Sequence, residues 1–277
     1  WDHMMALTKR GNVYTWGNNT NGQLGLSNYE TTCYATKVYD YQGTDYLENI
    51  VDISAGSKMS MAMDKLGLVY TWGQNTYGQL GIGNTTEKAL PQVTLCQDAV
   101  RISAGYYNSS IVDTRGNVIV WGYNNNGQLG LGNNINYTVP QTTNTSNIID
   151  ITALNGFTLI KDTTGKLYGT GMNNYGNLST GNTTTVNVFT AMNLPSSVTS
   201  SNKVIQMSGG SRNSRILLKD GTVWTSGDNT NNQLANGSTS SYSTSFVKAK
   251  KTSGTVIDDA IYIGRSHQDR NIDATSY

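Results

Sequence analysis

The stretch GNVYTWGNNTNGQLG, residues 11–25, decides the fold because the chain repeats it. It returns as GLVYTWGQNTYGQLG at 67–81 and as GNVIVWGYNNNGQLG at 116–130. Two diverged copies follow, GKLYGTGMNNYGNLS at 165–179 and GTVWTSGDNTNNQLA at 221–235. Self-similarity at a period of roughly 20–50 residues indicates a solenoid or a propeller. In such proteins the shared positions build the scaffold, so function is expected where the copies differ.

The positions that all copies share have structural explanations. The Trp-Gly step begins at Trp16, Trp72 and Trp121, and its equivalents are Thr170 and Ser226, so the interval is 49 or 56 residues. The glycine and the asparagine two residues later tolerate positive φ and suit a tight turn after a strand. The leucine is expected to fix the loop to the core, and the glutamine amide to bond otherwise unpaired backbone groups.

Short β-branched and aromatic runs predict the strands. Val13–Trp16 and Val118–Trp121 are too continuously apolar for a half-exposed strand, so we expect both faces to be covered. Asp64 and Gly67 bracket an Asp-x-x-Gly segment of hairpin type, which recurs in the next two copies. Copy five lacks the Trp but has Trp224 two residues earlier, on the same strand face, so we expect that ring to stay in the layer between repeats.

The corner and the repeat unit together resemble the regulator-of-chromosome-condensation repeat family. The pattern reads Trp1-Asp2-His3-Met4-Met5-Ala6-Leu7-Thr8 and then Gly11 to Gly25. The resemblance covers essentially the whole chain and implies an all-β single domain, a β-propeller of four-stranded blades. The five readable repeats span approximately 3–58, 59–107, 108–156, 157–212 and 213–266, with a C-terminal overhang at 267–277. The chain departs from the family by keeping the corner histidine only at His3 and His267, and by losing the Trp in copies four and five.

How the ring ends leaves alternatives open. The segment 260–267 matches the strand and corner that precede each unit, and the chain resumes at His3 where that segment stops. We expect the termini to pair and close a five-bladed ring, because closure removes exposed sheet edges. An open arc, or part of a larger propeller with the seven blades usual in the family, are the alternatives. The chain begins at Trp1 inside a repeat, so we expect it to be processed or part of something larger.

Composition narrows the function classes. The 277-residue chain has 19 basic and 18 acidic residues, a net charge of +1, and only 13% charged residues. Nucleic-acid binding needs a basic stripe on the surface, and the charge of this chain is balanced, so nucleic-acid binding is not expected. No apolar run reaches the roughly 18 residues of a membrane helix, so membrane insertion is not expected either, and no signal peptide is visible. A surface rich in Asn, Ser, Thr and Tyr favours a bacterial extracellular or cell-surface protein. Cys33 and Cys96 occupy different repeat positions, which favours free thiols over a disulfide.

Few residues in the sequence suggest catalysis. His3 and His267 occupy the family's corner position and are expected to brace it. Two histidines without nearby cysteines or acids fall short of a zinc site. No metalloprotease helix motif, nucleophile elbow or phosphate loop is present. The sequence therefore predicts no enzyme, no catalytic residue, no metal and no cofactor.

The residues that differ most between copies follow the small-residue corner. Corner loops of successive blades lie on one face around the channel, so these residues should form a ring, and Tyr, Trp and Arg are enriched at interaction hot spots. The predicted binding residues are Trp1, Lys58, Tyr106, Tyr107, Arg212 and Arg265. A second variable region, around Tyr137, is expected on the outer rim.

These residues favour a non-catalytic module that binds a protein partner through one propeller face. A glycan-binding module of a bacterial surface or toxin-like protein is the alternative, because Tyr and Trp platforms with Asn side chains suit sugars. A structural spacer is a weaker alternative. Guanine-nucleotide exchange, which the family resemblance implies, needs an inserted wedge and an acidic face, and neither is visible in the sequence.

Overall fold

The computed structural model describes residues 2–264, and within that range every regular element is a β-strand. The strands form five antiparallel sheets, one for each repeat. No helix that could span a membrane is found in the described part of the chain. The all-β prediction is therefore confirmed, with one blade a strand short.

The sheets are numbered as blades one to five. Blade one contains β1 (His3–Leu7), β2 (Val13–Gly17) and β3 (Thr32–Lys37). Blade two contains β4 (Ile50–Ala55), β5 (Met59–Asp64), β6 (Val69–Gly73) and β7 (Lys88–Val93). Blade three contains β8 (Ala99–Ala104), β9 (Asn108–Asp113), β10 (Val118–Gly122) and β11 (Tyr137–Thr142). Blade four contains β12 (Ile148–Ala153), β13 (Phe157–Asp162), β14 (Leu167–Gly171) and β15 (Val186–Ala191). Blade five contains β16 (Val204–Gly209), β17 (Asn213–Leu218), β18 (Val223–Asp228) and β19 (Tyr242–Lys248).

The predicted hairpin turns are present. Asp64 Oδ1 accepts hydrogen bonds from the backbone nitrogens of Leu66 and Leu68, at 2.9 and 3.0 Å. Gly67 closes this turn with a φ of +80°, a value that L side chains rarely adopt. The carboxylate is therefore occupied by its own turn, which is why these aspartates are structural.

The shared loop residues form the scaffold that the repeats predict. Asn19 Oδ1 accepts from the nitrogen of Leu24, and Asn75 Oδ1 accepts from the nitrogen of Leu80, each at 2.9 Å. Both leucines are fully buried. The amide of Gln23 accepts a hydrogen bond from Asn21 N at 2.8 Å. These bonds satisfy backbone groups that the irregular loop leaves without strand partners.

The tryptophans of the second and third repeats join neighbouring blades. Trp72 is fully buried, and its Nε1 donates to the carbonyl of Gln23 in the preceding repeat at 2.9 Å. Trp121 makes the same bond to Gln79 at 2.8 Å. A Cβ built on Gly25 would lie 2.9 Å from Trp72 Nε1, so that glycine provides the space for the ring. The prediction that Trp72 lies between blades is confirmed.

The ring of Trp224 stays in the layer between blades four and five, as predicted, where it packs against the cluster that contains Leu178 and Ile216, but it does not fill the buried place of the lost tryptophan. Trp224 is only half-buried, and its ring faces Lys248 with the ammonium 5.2 Å from the centroid. Phe246 on the outer strand is buried instead, and its nitrogen donates to Ser179 Oγ of the preceding repeat. In blade four Phe189 occupies the same outer-strand position, and its ring lies 2.5 Å from where a Cβ on Gly130 would be.

Ring closure is not shown. Within residues 2–264, β1 pairs only with β2, and blade one lacks an innermost strand. The segment predicted to lie beside β1 packs against blade five, as the first strand of each later blade packs against the blade before it. There Ala260 N donates to Gly221 O at 3.1 Å, and Ile263 N donates to Gln206 Oε1 at 2.7 Å. Residues 265–267 of the predicted pairing lie outside the described residues.

Two further sequence predictions can be compared with the structure. His3 is buried, and its Nε2 lies 2.9 Å from Ser60 Oγ in the next blade. This contact braces the corner, as expected, while His267 lies outside the described residues. Both cysteines are free: Cys33 is exposed and Cys96 is buried. Burial raises the pKa of the Cys96 thiol to about 12, so it stays protonated and unreactive.

Candidate binding face

The corner residues of successive blades are linked to one another. Ser57 N donates to Gly105 O at 3.3 Å, and Tyr106 N donates to Leu154 O at 3.4 Å. Asn155 Nδ2 donates to Ser211 Oγ at 2.9 Å. The corners of blades two to five therefore form one continuous row, as the sequence predicts. Of the predicted binding residues, Lys58, Tyr106, Tyr107 and Arg212 lie in this row, and Trp1 and Arg265 lie outside the described residues.

Four half-buried tyrosines, the tyrosine cluster, gather at the corner of blade three: Tyr77, Tyr106, Tyr107 and Tyr123. The rings of Tyr106 and Tyr107 meet edge to face with centroids 4.4 Å apart. Tyr77 lies 5.1 Å from Tyr107 and 4.8 Å from Tyr123, in tilted contacts. Such tilted and edge-to-face pairs are the favoured aromatic geometries. The cluster is thus a packed platform rather than a set of independent loop side chains.

At the corner of blade five a similar contact is present, with a cation in place of one tyrosine. The guanidinium of Arg212 lies 4.9 Å from the ring centroid of Tyr175. Its NH1 is 3.9 Å from Asp228 Oδ2, and half of the Arg212 side chain is exposed, at 52%. Asp228 is buried, so the pair is anchored on one side and open on the other. Arg212 therefore keeps donors available to a partner.

A positional rule explains both contacts. Tyr77 and Tyr175 each stand four residues after the shared glycine of their repeat, and each packs against the second corner residue of the next blade. In blade three, Asn126 has that loop position and lies against Gly156. Sequence reasoning missed Tyr77 and Tyr123 because it compared only the corners. The alternation of Asn and Tyr at the loop position was the available signal.

The hydroxyl of Tyr107 stays neutral. Burial, with the hydrogen bond to Tyr106 as the next cause, raises the pKa of Tyr107 above its ordinary value. The face therefore presents apolar ring surface and a neutral hydroxyl, which suit stacking and hydrogen bonding. No group of three metal-ligating side chains was found among residues 2–264.

A cavity of about 340 Å³ opens beside the tyrosine cluster, where the innermost strands of blades three to five converge. Its lining is small and mostly apolar: Ala104, Ala153, Leu154, Asn155, Gly209, Gly210 and Ser211. Leu154 occupies the corner position that is glycine in the other blades, and a side chain added at Gly209 would collide with it. The face thus combines a depression with an aromatic platform and a half-exposed arginine.

The repeat architecture and the family model agree. The model described as RCC1-like domain matches residues 1–268. This chain belongs to that family. The structure is similar to human WBSCR16, with a TM-score of 0.76 at 20% identity, covering 90% of this chain and 65% of that one. Prp20p from Saccharomyces cerevisiae gives a TM-score of 0.71 at 20% identity, covering 91% of this chain and 62% of that one. These likenesses show the fold.

Among curated proteins the similar stretches are shorter. The ultraviolet-B receptor UVR8 of Arabidopsis thaliana is 36% identical over 90 residues, which is 32% of this chain and 20% of the receptor. The X-linked retinitis pigmentosa GTPase regulator of Homo sapiens is 34% identical over 93 residues, 33% of this chain and 9% of that protein. The match with this RCC1-like chain thus spans one fifth or less of these two relatives.

Proposed function

We propose that this RCC1-like domain is a non-catalytic module that binds a protein partner through its corner face. The tyrosine cluster carries the proposal, because it places rigid aromatic surface and a neutral hydroxyl at the centre of one face. Arg212 adds a half-exposed cation beside it. Tyr and Arg in partly buried, well-packed positions are the types that carry most of the binding energy at protein interfaces.

Related proteins support a protein partner. Prp20p of Saccharomyces cerevisiae has binding properties toward Gsp1p and histones, and a second structure of yeast RCC1 (Prp20) contains Kap60 bound to it. Some relatives are named as ligases, such as HERC2 of Homo sapiens, but the matched stretch is 2% of that protein. The likeness therefore concerns the repeat domain alone.

The test compares binding of face and rim variants. The immobilised domain is used to capture partners from cell lysates, and captured proteins are quantified for the parent chain, Tyr107→Ala, Arg212→Ala and the rim control Tyr137→Ala. We expect both face variants to lose a discrete set of captured proteins and the rim control to retain them, with little change in melting temperature. If Tyr137→Ala alone loses the partner, the binding surface is the rim.

A glycan array probed with the same variants addresses the alternative ligand class. Saturable glycan binding that Tyr107→Ala abolishes, with no protein captured by this face, would replace the protein proposal. We also propose an extracellular or cell-surface location, from the polar, weakly charged composition. Fractionation of source cells with an antibody against the domain tests it, and recovery only from the cell interior would contradict it.

A further inference from the structure

A cleft of about 550 Å³ lies on the outward side of blade five, away from blade four. Strands β17 and β18 form one wall, and residues 257–264 form another. In blades two to four the equivalent side of the sheet is covered by the next blade. This side of blade five differs from those covered sides at two positions, which together determine what can occupy the cleft.

The first difference is at the loop glycine that touches the next blade's outer strand. A Cβ on Gly22 would lie 2.7 Å from the Cα of Ala89, and one on Gly176 would lie 2.5 Å from the Cα of Thr244. The equivalent residue of blade five is Asn232, which adopts a φ of 60° and carries a side chain. An outer strand approaching in the usual way would collide with it.

The second difference lies deeper in the same side. Met61 and Leu159 pack into the next blade, whereas their equivalent in blade five is Arg215. Asn232 and Arg215 therefore distinguish the outward side of blade five from the covered sides of blades two to four.

Arg215 is the group in this cleft that most needs a partner. Its Nε is buried and has no hydrogen-bond partner within residues 2–264. It is also the one charged residue among those that line the cleft in the described part of the chain. Burial lowers the pKa of Arg215, and a half-buried cation without a counterion loses part of its hydration uncompensated. An anion in the cleft would offset that loss.

The remaining lining determines which anion fits. Val223, Ala249 and Ile263 provide apolar wall, and Thr225 uses its hydroxyl on Leu234 O. A guanidinium binds carboxylate and phosphate oxygens alike in a bidentate manner. One guanidinium neutralises the single charge of a carboxylate, however, and leaves a doubly charged phosphate with an unpaired charge against the apolar wall. We propose that this cleft binds a small organic carboxylate through Arg215, with the apolar part of the ligand against the Val223 side. This site is separate from the corner face, so it does not depend on the proposed function.

Binding is tested with defined probes on the full 277-residue chain. Benzoate, hexanoate and acetate are titrated by calorimetry and by thermal shift, beside the neutral isostere benzamide and inorganic phosphate. We expect benzoate or hexanoate to bind saturably and to raise the melting temperature, because a ligand that binds only the folded state stabilises it. Benzamide and phosphate should bind at least about tenfold more weakly, since benzamide lacks the charge that strengthens a hydrogen bond to the guanidinium and phosphate has a second charge left unpaired.

Variants locate the site. Arg215→Met restores the residue found at the equivalent Met61, so it should fold, and it should weaken carboxylate binding about ten- to a hundredfold. Arg215→Lys should retain part of the affinity, and Arg212→Met on the corner face should retain all of it. Binding unchanged in Arg215→Met, equal binding of benzoate and benzamide, a preference for phosphate, or no saturable response to any of the three carboxylates would overturn the proposal.

Discussion

At the scale of single residues, burial between blades decides the energetic weight of a tryptophan. Trp72 is fully buried and bonded to Gln23 O, whereas Trp224 is half-buried at the edge of its layer. We expect Trp72→Ala to lower the free energy of unfolding by about 3–5 kcal/mol. Trp224→Ala, the matched control, should cost clearly less, because its ring is partly hydrated already. Urea denaturation of both variants measures the difference, and equal losses would contradict this account of the layer.

His3 makes stability depend on pH. Its Nε2 must donate to Ser60 Oγ, since that hydroxyl donates its own proton to Gln23 O at 2.7 Å. Nδ1 is then unprotonated and buried, and burial lowers the pKa of His3 from 6.5 to about 4. The unfolded chain takes up a proton at this site below pH 6.5 and the folded chain does not until about pH 4. Stability is therefore complete above pH 6.5 and falls as the pH drops through this window.

The expected loss by pH 4 is about 3 kcal/mol, at about 1.36 kcal/mol for each unit of pKa. His3→Asn provides the control, because Asn108 and Asn213 occupy the same register position in blades three and five. The variant should show a flatter dependence of unfolding free energy on pH between 6.5 and 4. A pH dependence equal to that of the parent chain would assign the titration to another group.

At the scale of strands and loops, the sequence predicts the features that are encoded within one repeat. The strand pattern, the Asp64–Gly67 turn and the burial of Trp72 follow from local residue chemistry and are present. The replacement of the lost tryptophans does not follow, because Phe189 and Phe246 lie on outer strands some twenty residues along the chain. Only the pairing of the third strand of a blade with its outer strand shows that these phenylalanine rings lie in the layer from which the tryptophan ring is missing.

This exchange gives a testable contrast between outer strands. Pro91 and Pro140 occupy the phenylalanine position in the two blades that keep a buried tryptophan. We expect Phe246→Ala to cost about 3–5 kcal/mol, because Phe246 is buried and no fully buried tryptophan shares its layer. Pro140→Ala should cost much less, since the ring of Trp121 remains. Melting curves of the two variants measure the difference. A loss for Pro140→Ala as large as that for Phe246→Ala would show that the outer-strand residue matters equally whether or not the blade keeps its tryptophan, and would contradict this account.

Prediction from the sequence reaches the same limit at the candidate site on the corner face. The sequence places Lys58, Tyr106, Tyr107 and Arg212 in one row, and the hydrogen bonds between corners connect that row. Tyr77 and Tyr123 were not predicted because they belong to the shared loop, whose neighbours are known only once the blades are stacked. Their contacts with Tyr107 depend on the rotation from one blade to the next, which no local pattern encodes.

At the scale of the whole molecule, the two ends of the row of blades differ. On blade one, Trp16 is half-buried and Met4 is exposed, at 55%, so that side keeps apolar surface. On blade five, Asn232 and Arg215 stand where the covered sides of blades two and four have glycine and an apolar residue. The two sides are therefore not complementary in the way that Trp72 and Gly25 are. The closure of the ring through blade one that the sequence predicts is not shown by the described residues.

Exchanging glycine and asparagine at equivalent loop positions tests that asymmetry. Gly176→Asn should destabilise the fold by at least about 1–3 kcal/mol, because the added side chain meets the backbone of Thr244 in blade five. Hydrogen exchange should then show blade five opening before the others. Asn232→Gly should change the unfolding free energy by less than about 1 kcal/mol, since within the described residues no outer strand lies against it. A closed ring would place β3 against Asn232, so removing that side chain would relieve a collision. A clear gain in stability for Asn232→Gly would therefore favour closure, and an unchanged stability would favour the open arrangement.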